Sequence, residues 1–316
     1  VPDSFPFAAT AIILLLLPFH IRLLIVLLSV QGRKNLERSY RIFLTNITSL
    51  NILYSIVNIC IHDFSFYGIY PEFAKNVIFA YMESMKIVFF PTISTLLQFS
   101  ISSNQLTAVY FPLKHQELWR PKKMFVVCAA TWTIGFLASI PAIISPCAPF
   151  ELKSTDRPIA DMRTVIFARM ENVPDTIDDA RAYSMVCLFF IGMLIQGYTI
   201  LFYIIIYLTV RKSDKARGKT KVNDGVRISC SFAAATCLGT WVLCGLLLHR
   251  NLIIKRKEDR LLLENWIIDT RMITEDMCAL VYALHNSLLP IIMLALLPKI
   301  RRIFLGRSPD KPASRD

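Results

Sequence analysis

The sequence lacks the residue groups that enzymes and metal proteins use. It has no Gly-rich phosphate loop, no serine elbow and no pair of acidic residues on one face of an apolar run. No cysteine spacing suggests zinc, and the five histidines stand apart without a paired spacing for a metal, at His20, His62, His115, His249 and His285. We therefore expect a protein that is not an enzyme and that has no metal site and no cofactor.

Long apolar runs dominate the chain instead. Each is long enough to cross a hydrocarbon core of about 30 Å at about 1.5 Å of rise per residue, and few contain charges. The seven runs are approximately residues 7–30, 43–62, 76–103, 124–146, 183–210, 226–249 and 274–297. They predict an all-α membrane protein, a bundle of seven transmembrane helices in a single domain that covers residues 1–316.

The basic residues of the connections predict the orientation of this bundle. The first, third and fifth loops and the tail carry 21 Lys and Arg, whereas the other connections carry 12. Because basic residues near helix ends stay on the cytoplasmic side, we place the N-terminus outside and the tail, residues 298–316, in the cytoplasm. The net charge of +12 then reflects topology and a basic inner surface that suits anionic lipids, and it does not indicate nucleic-acid binding.

Two short features lie at the boundaries of the spans. Residues 298–305 alternate basic and apolar side chains, which favours a short helix in the membrane interface over a solvated basic tail. Six of the eight cysteines fall within or at the ends of apolar runs, where cysteine is a small hydrophobe. Cys60 and Cys147 lie at the outer boundary, where the oxidising space allows a disulfide.

Few ionisable residues lie within the spans. Arg22 lies near the middle of the first run, so we expect a partner inside the bundle. Glu83 and Lys86 are three residues apart in the third run and share a helical face; they are either functional or anchored at the headgroups.

Uncharged polar and aromatic residues on the spans can join helices or line a cavity that opens outward between the third, fifth, sixth and seventh helices. Examples are Tyr81, Ser94, Gln98, Gln196, Tyr198, Thr240 and Asn286. For the binding of an extracellular small molecule or peptide we select Glu83, Lys86, Trp241, Tyr282 and His285.

The inner end of the third run carries a family resemblance. Residues 103–115 resemble the stretch of seven-helix G-protein-coupled receptors in which an acid-Arg-aromatic triplet precedes Ala-Val and Pro-Leu, here Ala108, Val109, Pro112 and Leu113. Trp132 with Pro141 is similar to the fourth-helix pair of these receptors, and Asn46 with Asn51 to a second-helix pattern. Pro290 and the helix after it resemble the seventh-helix end. Residues 39–43 and 104–119 look most like nematode serpentine chemoreceptors of the Srg superfamily, including its Srv-like branch.

The chain also departs from this receptor pattern. Gln105 stands where the pattern has Arg, and it can form hydrogen bonds but carries no charge. Asn51 replaces an acid, Leu289 and Met293 stand where the seventh helix has Asn and Tyr, and the outer start of the third run has no Cys for the usual disulfide.

The resemblance implies a rhodopsin-like chemosensory receptor in the plasma or ciliary membrane that signals to a heterotrimeric G protein. The coupling surface that it implies comprises Gln105, Tyr110, Pro112, Lys114, Lys215, Lys219 and Arg302. A transporter or channel is the main alternative, although the chain shows no repeats with broken helices. A seven-helix protein that has lost coupling is a further alternative, because of Gln105 and Asn51.

Overall fold

A computed structural model describes residues 4–29, 38–63, 77–144, 175–216, 294 and 298–306. These residues are helical apart from short links, and no strand occurs among them. The helices are α1 (Ser4–Leu28), α2 (Arg38–Val57) with a π-helical end at Asn58–Asp63, α3 (Val77–Tyr110), α4 (Pro112–Leu118), α5 (Pro121–Ile144), α6 (Asp175–Ala216) and α7 (Pro298–Phe304). The predicted all-α membrane fold is confirmed.

Five of these helices, α1, α2, α3, α5 and α6, cover the first five apolar runs. Within the described residues, four segments are long and apolar enough to cross a membrane: Thr10–Leu28, Arg41–Cys60, Pro121–Ile140 and Cys187–Ser213. Both α1 and α3 continue through a proline, Pro18 and Pro91 respectively, as membrane helices tolerate. The sixth and seventh runs lie outside the described residues, except for Leu294.

Helix α3 is the central helix of the described bundle. It packs most extensively on α5 and α6 and also contacts α2, which in turn packs on α1. The fully buried side chains of the shared apolar core include Leu27, Phe43, Leu50, Ile93 and Met124. This arrangement brings the C-terminal end of α3 between α2 and α6, where the candidate site lies.

Polar and apolar side chains are distributed as expected for a protein in lipid. Ser102, Ser139, Gln196 and Thr199 are fully buried, whereas many Leu, Ile and Phe side chains of α1, α5 and α6 are exposed. Several buried hydroxyls donate to a carbonyl one turn earlier, as Ser139 does to Gly135 at 2.8 Å. Since lipid offers no hydrogen bonds, polar groups gain by facing the bundle interior.

Arg22 has a partner that the sequence did not name. Its Nε donates to the carbonyl oxygen of Phe304 at 2.8 Å, and its guanidinium carbon lies 5.1 Å from the centre of the Phe304 ring. The Phe304 ring also stacks on Phe19. Arg22 therefore caps the last turn of α7, where the negative end of the helix dipole stabilises a cation. The expected partner was placed inside the bundle, whereas the structure places it on α7, the helix after the seventh run.

Helices α3 and α5 approach closely at Gly135. A Cβ atom placed on Gly135 would overlap the side chain of Ile93 on α3, whereas a Cβ on Gly197 of α6 would meet nothing within 4 Å. Small residues allow membrane helices to pack at such short distances.

We expect Gly135→Ala to destabilise the bundle, because Ile93 and α5 must shift to accommodate the new methyl group. The expected loss is about 1–3 kcal/mol, measured as a lower melting temperature in detergent. Gly197→Ala is the matched control and should be neutral or stabilising, since alanine favours a helix by about 1 kcal/mol over glycine. Equal effects of the two substitutions would contradict the close packing at Gly135.

Candidate functional site

The link from α3 to α4 shapes the C-terminal end of the third span. Phe111 is the N-cap residue of α4, with φ −131° and ψ 58°, and makes no side-chain cap. Pro112 occupies the first turn, where its fixed φ suits a helix and its missing N–H leaves no donor unsatisfied. The chain therefore leaves α3 and begins a new helix within one residue.

Thr107 is the polar centre of this corner. Its Oγ1 lies 2.9 Å from the carbonyl oxygen of Asn104, 2.7 Å from Nε1 of Trp119 and 3.2 Å from Nδ1 of His115. A hydroxyl has one proton and two lone pairs, and an indole N–H can only donate. When the Thr107 hydroxyl donates to the Asn104 carbonyl, its oxygen can accept from both Nε1 of Trp119 and a protonated Nδ1 of His115. All three hydrogen bonds then form together.

These bonds attach α4 to the bundle at its buried face. His115 is the buried residue of α4, and Trp119, just after the helix, also packs edge-on against Phe43 of α2 with ring centres 5.7 Å apart. Phe43 is itself fully buried. Helix α4 is thus held between α2 and α3.

The opposite face of α4 is open. Leu113 is 94% exposed, more than any other large apolar residue among those described, and Pro112, Lys114, Gln116 and Glu117 are exposed beside it. Next to them, Tyr110 bonds through its hydroxyl oxygen to Oγ1 of Thr209 on α6 at 2.7 Å. The corner therefore presents Leu113, together with the less exposed Phe111 and Leu118, among polar side chains on a surface that extends to α6.

A second link joins the spans beneath this corner. Nε1 of Trp132 on α5 donates to Oδ1 of Asn46 on α2 at 3.2 Å, and Nδ2 of Asn46 donates to the carbonyl oxygen of Ile42 at 2.9 Å. Both of these residues carry the receptor resemblance. The structure shows that they bind each other.

The sequence matches the family model described as 7 transmembrane receptor (rhodopsin family) over residues 23–292, which is more than half of the chain. The chain belongs to this family. Its members are in general not enzymes, and they act as membrane receptors with ligands and G proteins as partners. A search of curated proteins finds no match.

Only part of the predicted coupling surface of this receptor is described. Tyr110, Pro112 and Lys114 lie together and exposed at the α3–α4 corner, and Gln105 is half-buried on α3 one turn earlier. Arg302 is half-buried on α7, away from this corner on the helix that contacts α1. Lys215 belongs to α6, its side chain outside the described part, and Lys219 lies outside it altogether.

The predicted ligand residues of the receptor are not tested by the structure. Glu83 and Lys86 belong to α3, but their side chains are outside the described part, as are Trp241, Tyr282 and His285 entirely. Cys60 is an exposed free thiol and Cys147 lies outside the described residues. The structure thus lends no support to the Cys60–Cys147 disulfide, which stays a prediction.

The buried polar residues between α3 and α6 use their side chains to join helices. Nε2 of Gln196 donates to Oε1 of Gln98 at 3.1 Å, and Nε2 of Gln98 donates to Oγ of Ser94 at 3.3 Å. Tyr198 instead points outward and is 59% exposed. Of the two uses expected for such residues, the described part shows the interhelical bonds.

Sequence reasoning missed the hydrogen bonds of Thr107. His115 was set aside as one of several scattered histidines, and Thr107 carried no signal of its own. Pro112 could have indicated a helix start, and the four-residue spacing of His115 and Trp119 then places both on one face of that helix.

Proposed function

We propose that the chain is a chemosensory-type receptor that binds an extracellular ligand and signals to a heterotrimeric G protein. Its N-terminus lies outside, in the plasma or ciliary membrane, and the α3–α4 corner faces the cytoplasm. The family assignment supports receptor function, and the unequal Lys and Arg content of the loops supports the orientation.

The exposed Leu113 carries the coupling part of the proposal. An apolar side chain that is 94% exposed gains free energy when a partner buries it, at about 25 cal/mol per Å². Since α4 is held by Thr107 and Phe43, the side chain is already in place and little order must be imposed upon binding. Such preorganisation is typical of a recognition surface.

The surroundings of Leu113 suit a partner with acidic groups. Lys114 on α4 and Lys122 and Lys123 at the start of α5 are exposed, and Arg211 and Lys212 are exposed near the end of α6. Positive potential on this face increases the encounter rate with a negatively charged surface. The predicted residues Lys215 and Lys219 would extend the same basic strip.

The ligand end of the proposal rests on Glu83 and Lys86, joined by Trp241, Tyr282 and His285 from the sixth and seventh spans. Glu83 and Lys86 are three residues apart on α3 and so share a helical face. Charged residues inside a membrane are costly, so those that occur there are candidates for a functional site. A ligand that binds one arrangement of the helices better than the other shifts the receptor toward that state. Within the described part, the Tyr110–Thr209 hydrogen bond joins α3 to α6. This bond would have to break or shift if the two helices change their relative position.

Gln105 provides the test of coupling. We expect Gln105→Arg to increase receptor-driven nucleotide exchange roughly tenfold, because a guanidinium forms charge-assisted bonds to a partner's carbonyl groups that an amide cannot match. The assay compares both proteins in lipid nanodiscs with a panel of heterotrimeric G proteins and measures GTP-analogue binding.

Gln105→Met is the control, since it keeps the length of the side chain without adding charge. It should leave exchange at the wild-type rate or below. The two proteins are compared at equal amounts of folded receptor. If neither the wild type nor Gln105→Arg accelerates exchange on any G protein, coupling is rejected and the non-coupling alternative is favoured.

A further inference from the structure

A cleft lies between the end of α1 and the start of α2, outside the α3–α4 corner. It has a volume of about 210 Å³ and is lined by Leu27, Leu28, Arg41, Ile42, Thr45 and Asn46. In the orientation proposed above, both helix ends lie at the inner face of the membrane. The cleft therefore opens at the level of the lipid headgroups.

Arg41 gives the cleft its chemistry. Its Nη1 is buried and has no hydrogen-bond partner among the described residues. Arg41 as a whole is half-buried, but a donor nitrogen that is shielded from water and lacks an acceptor is unfavourable. A guanidinium binds best to the oxygens of a carboxylate or phosphate, often through two parallel bonds. The arrangement thus calls for an anion in the cleft.

The other polar groups of the cleft are unequally available. The side-chain oxygen of Asn46 accepts from Trp132 and its nitrogen donates to the Ile42 carbonyl. Asn46 therefore borders the cleft with its side chain already engaged in hydrogen bonds. Thr45 lies four residues after Arg41 and faces the same side of α2, where its hydroxyl can donate to a second oxygen of the same anion.

The apolar walls indicate where the rest of the ligand lies. Leu27, Leu28 and Ile42 border the cleft, and from Leu28 an exposed apolar stripe runs back along α1 through Ile25 and Ile21. These residues are spaced four and three apart, so they follow one face of the helix. A hydrocarbon chain attached to the anion can lie along this stripe.

We propose that this cleft binds the phosphate of an anionic phospholipid of the inner leaflet. The Arg41 guanidinium and the Thr45 hydroxyl hold the phosphate, while an acyl chain lies along Leu28, Ile25 and Ile21. The segment before α2 adds Arg33 and Lys34, which favours a net anionic headgroup over a zwitterionic one. The assignment rests on the proposed orientation of the bundle and is independent of G-protein coupling.

Native mass spectrometry of the full chain in detergent tests this site with added phosphatidylserine and phosphatidylcholine. We expect phosphatidylserine to bind the wild type more tightly. Arg41→Gln should weaken its binding roughly tenfold, and Thr45→Val should weaken it about fivefold, as expected for loss of a charged and of a neutral hydrogen bond. Arg41→Lys should retain part of the binding.

Arg38→Gln is the matched control, because Arg38 is exposed in the first turn of the same helix. Its effect should be no more than about twofold, as for a surface charge. Equal losses for Arg38→Gln and Arg41→Gln would replace a defined site with diffuse attraction and overturn the proposal. Thr45→Val preserves the side-chain volume, and a Thr45→Val protein that folds and binds phosphatidylserine like the wild type would overturn it as well.

Two further arms identify the occupant of the cleft. Inorganic phosphate and glycerophosphoserine should not displace the lipid at concentrations matched to it; displacement by either would assign the cleft to a soluble anion. Glu37→Gln should leave lipid binding unchanged. A roughly tenfold gain with Glu37→Gln would show that the chain's own carboxylate occupies the cleft, and the lipid assignment would be wrong.

Discussion

Leu113→Asp should reduce receptor-driven nucleotide exchange at least tenfold, with little change in the stability of the receptor. Leu113 contacts solvent over 94% of its surface, so a polar replacement removes no packing within the bundle. A central apolar anchor in an interface contributes about 2 kcal/mol or more to binding, and an aspartate would add a charge that the partner must desolvate. The measurement is GTP-analogue binding in nanodiscs, alongside the melting temperature of each variant.

Leu118→Asp serves as the control on the same helix. Leu118 is also exposed, at 47%, but it lies five residues further along α4, about 140° around the helix from Leu113. We expect a clearly smaller effect on exchange. If both substitutions reduced exchange equally, or if Leu113→Asp had no effect while the wild type was active, the anchor role of Leu113 would be wrong.

Trp119→Ala should release α4 from the bundle. The substitution removes the bond from Nε1 to Thr107, the edge-on contact with Phe43 and the volume of the indole. Since Trp119 is partly buried, we expect a loss of about 3 kcal/mol in the free energy of unfolding, the lower end of the range for a tryptophan truncation. Hydrogen exchange of the amides in 112–118 should accelerate, and nucleotide exchange should fall because Leu113 is no longer held in place.

Trp119→Phe separates the two contacts of the indole. The phenyl ring still reaches Phe43 but cannot donate to Thr107, so the expected loss is about 1 kcal/mol and amide exchange in α4 should lie between wild type and Trp119→Ala. Identical behaviour of the two variants would assign the whole effect to the hydrogen bond. Unchanged amide exchange in Trp119→Ala would show that α4 is held by other contacts.

The membrane fold could be predicted from the sequence because its main determinant is local. An apolar run of about 20 residues must form a helix in lipid, since every backbone group has to find its partner within the run. The helix after the seventh span was also predictable from local sequence, because basic and apolar residues alternate there as in interfacial helices. Helix α7 occupies residues 298–304.

The contacts of the site were less accessible from the sequence. Asn46 and Trp132 were each recognised by resemblance, but their bond depends on how α2 and α5 are rotated against each other, which hydropathy does not specify. Thr107, His115 and Trp119 meet only because the chain turns sharply at Phe111. Arg22 showed that a partner was needed, yet nothing local could indicate a carbonyl group 282 residues away.

The bond between Arg22 and Phe304 has a consequence for biosynthesis. Arg22 belongs to the first of the seven apolar runs, and the carbonyl that accepts its hydrogen bond belongs to α7, which is synthesised after the seventh run. Until then the first helix carries an unmatched cation near lipid, an unfavourable state that insertion alone does not relieve. A chain interrupted before residue 304 would lack this contact between α1 and α7 however well its other helices pack.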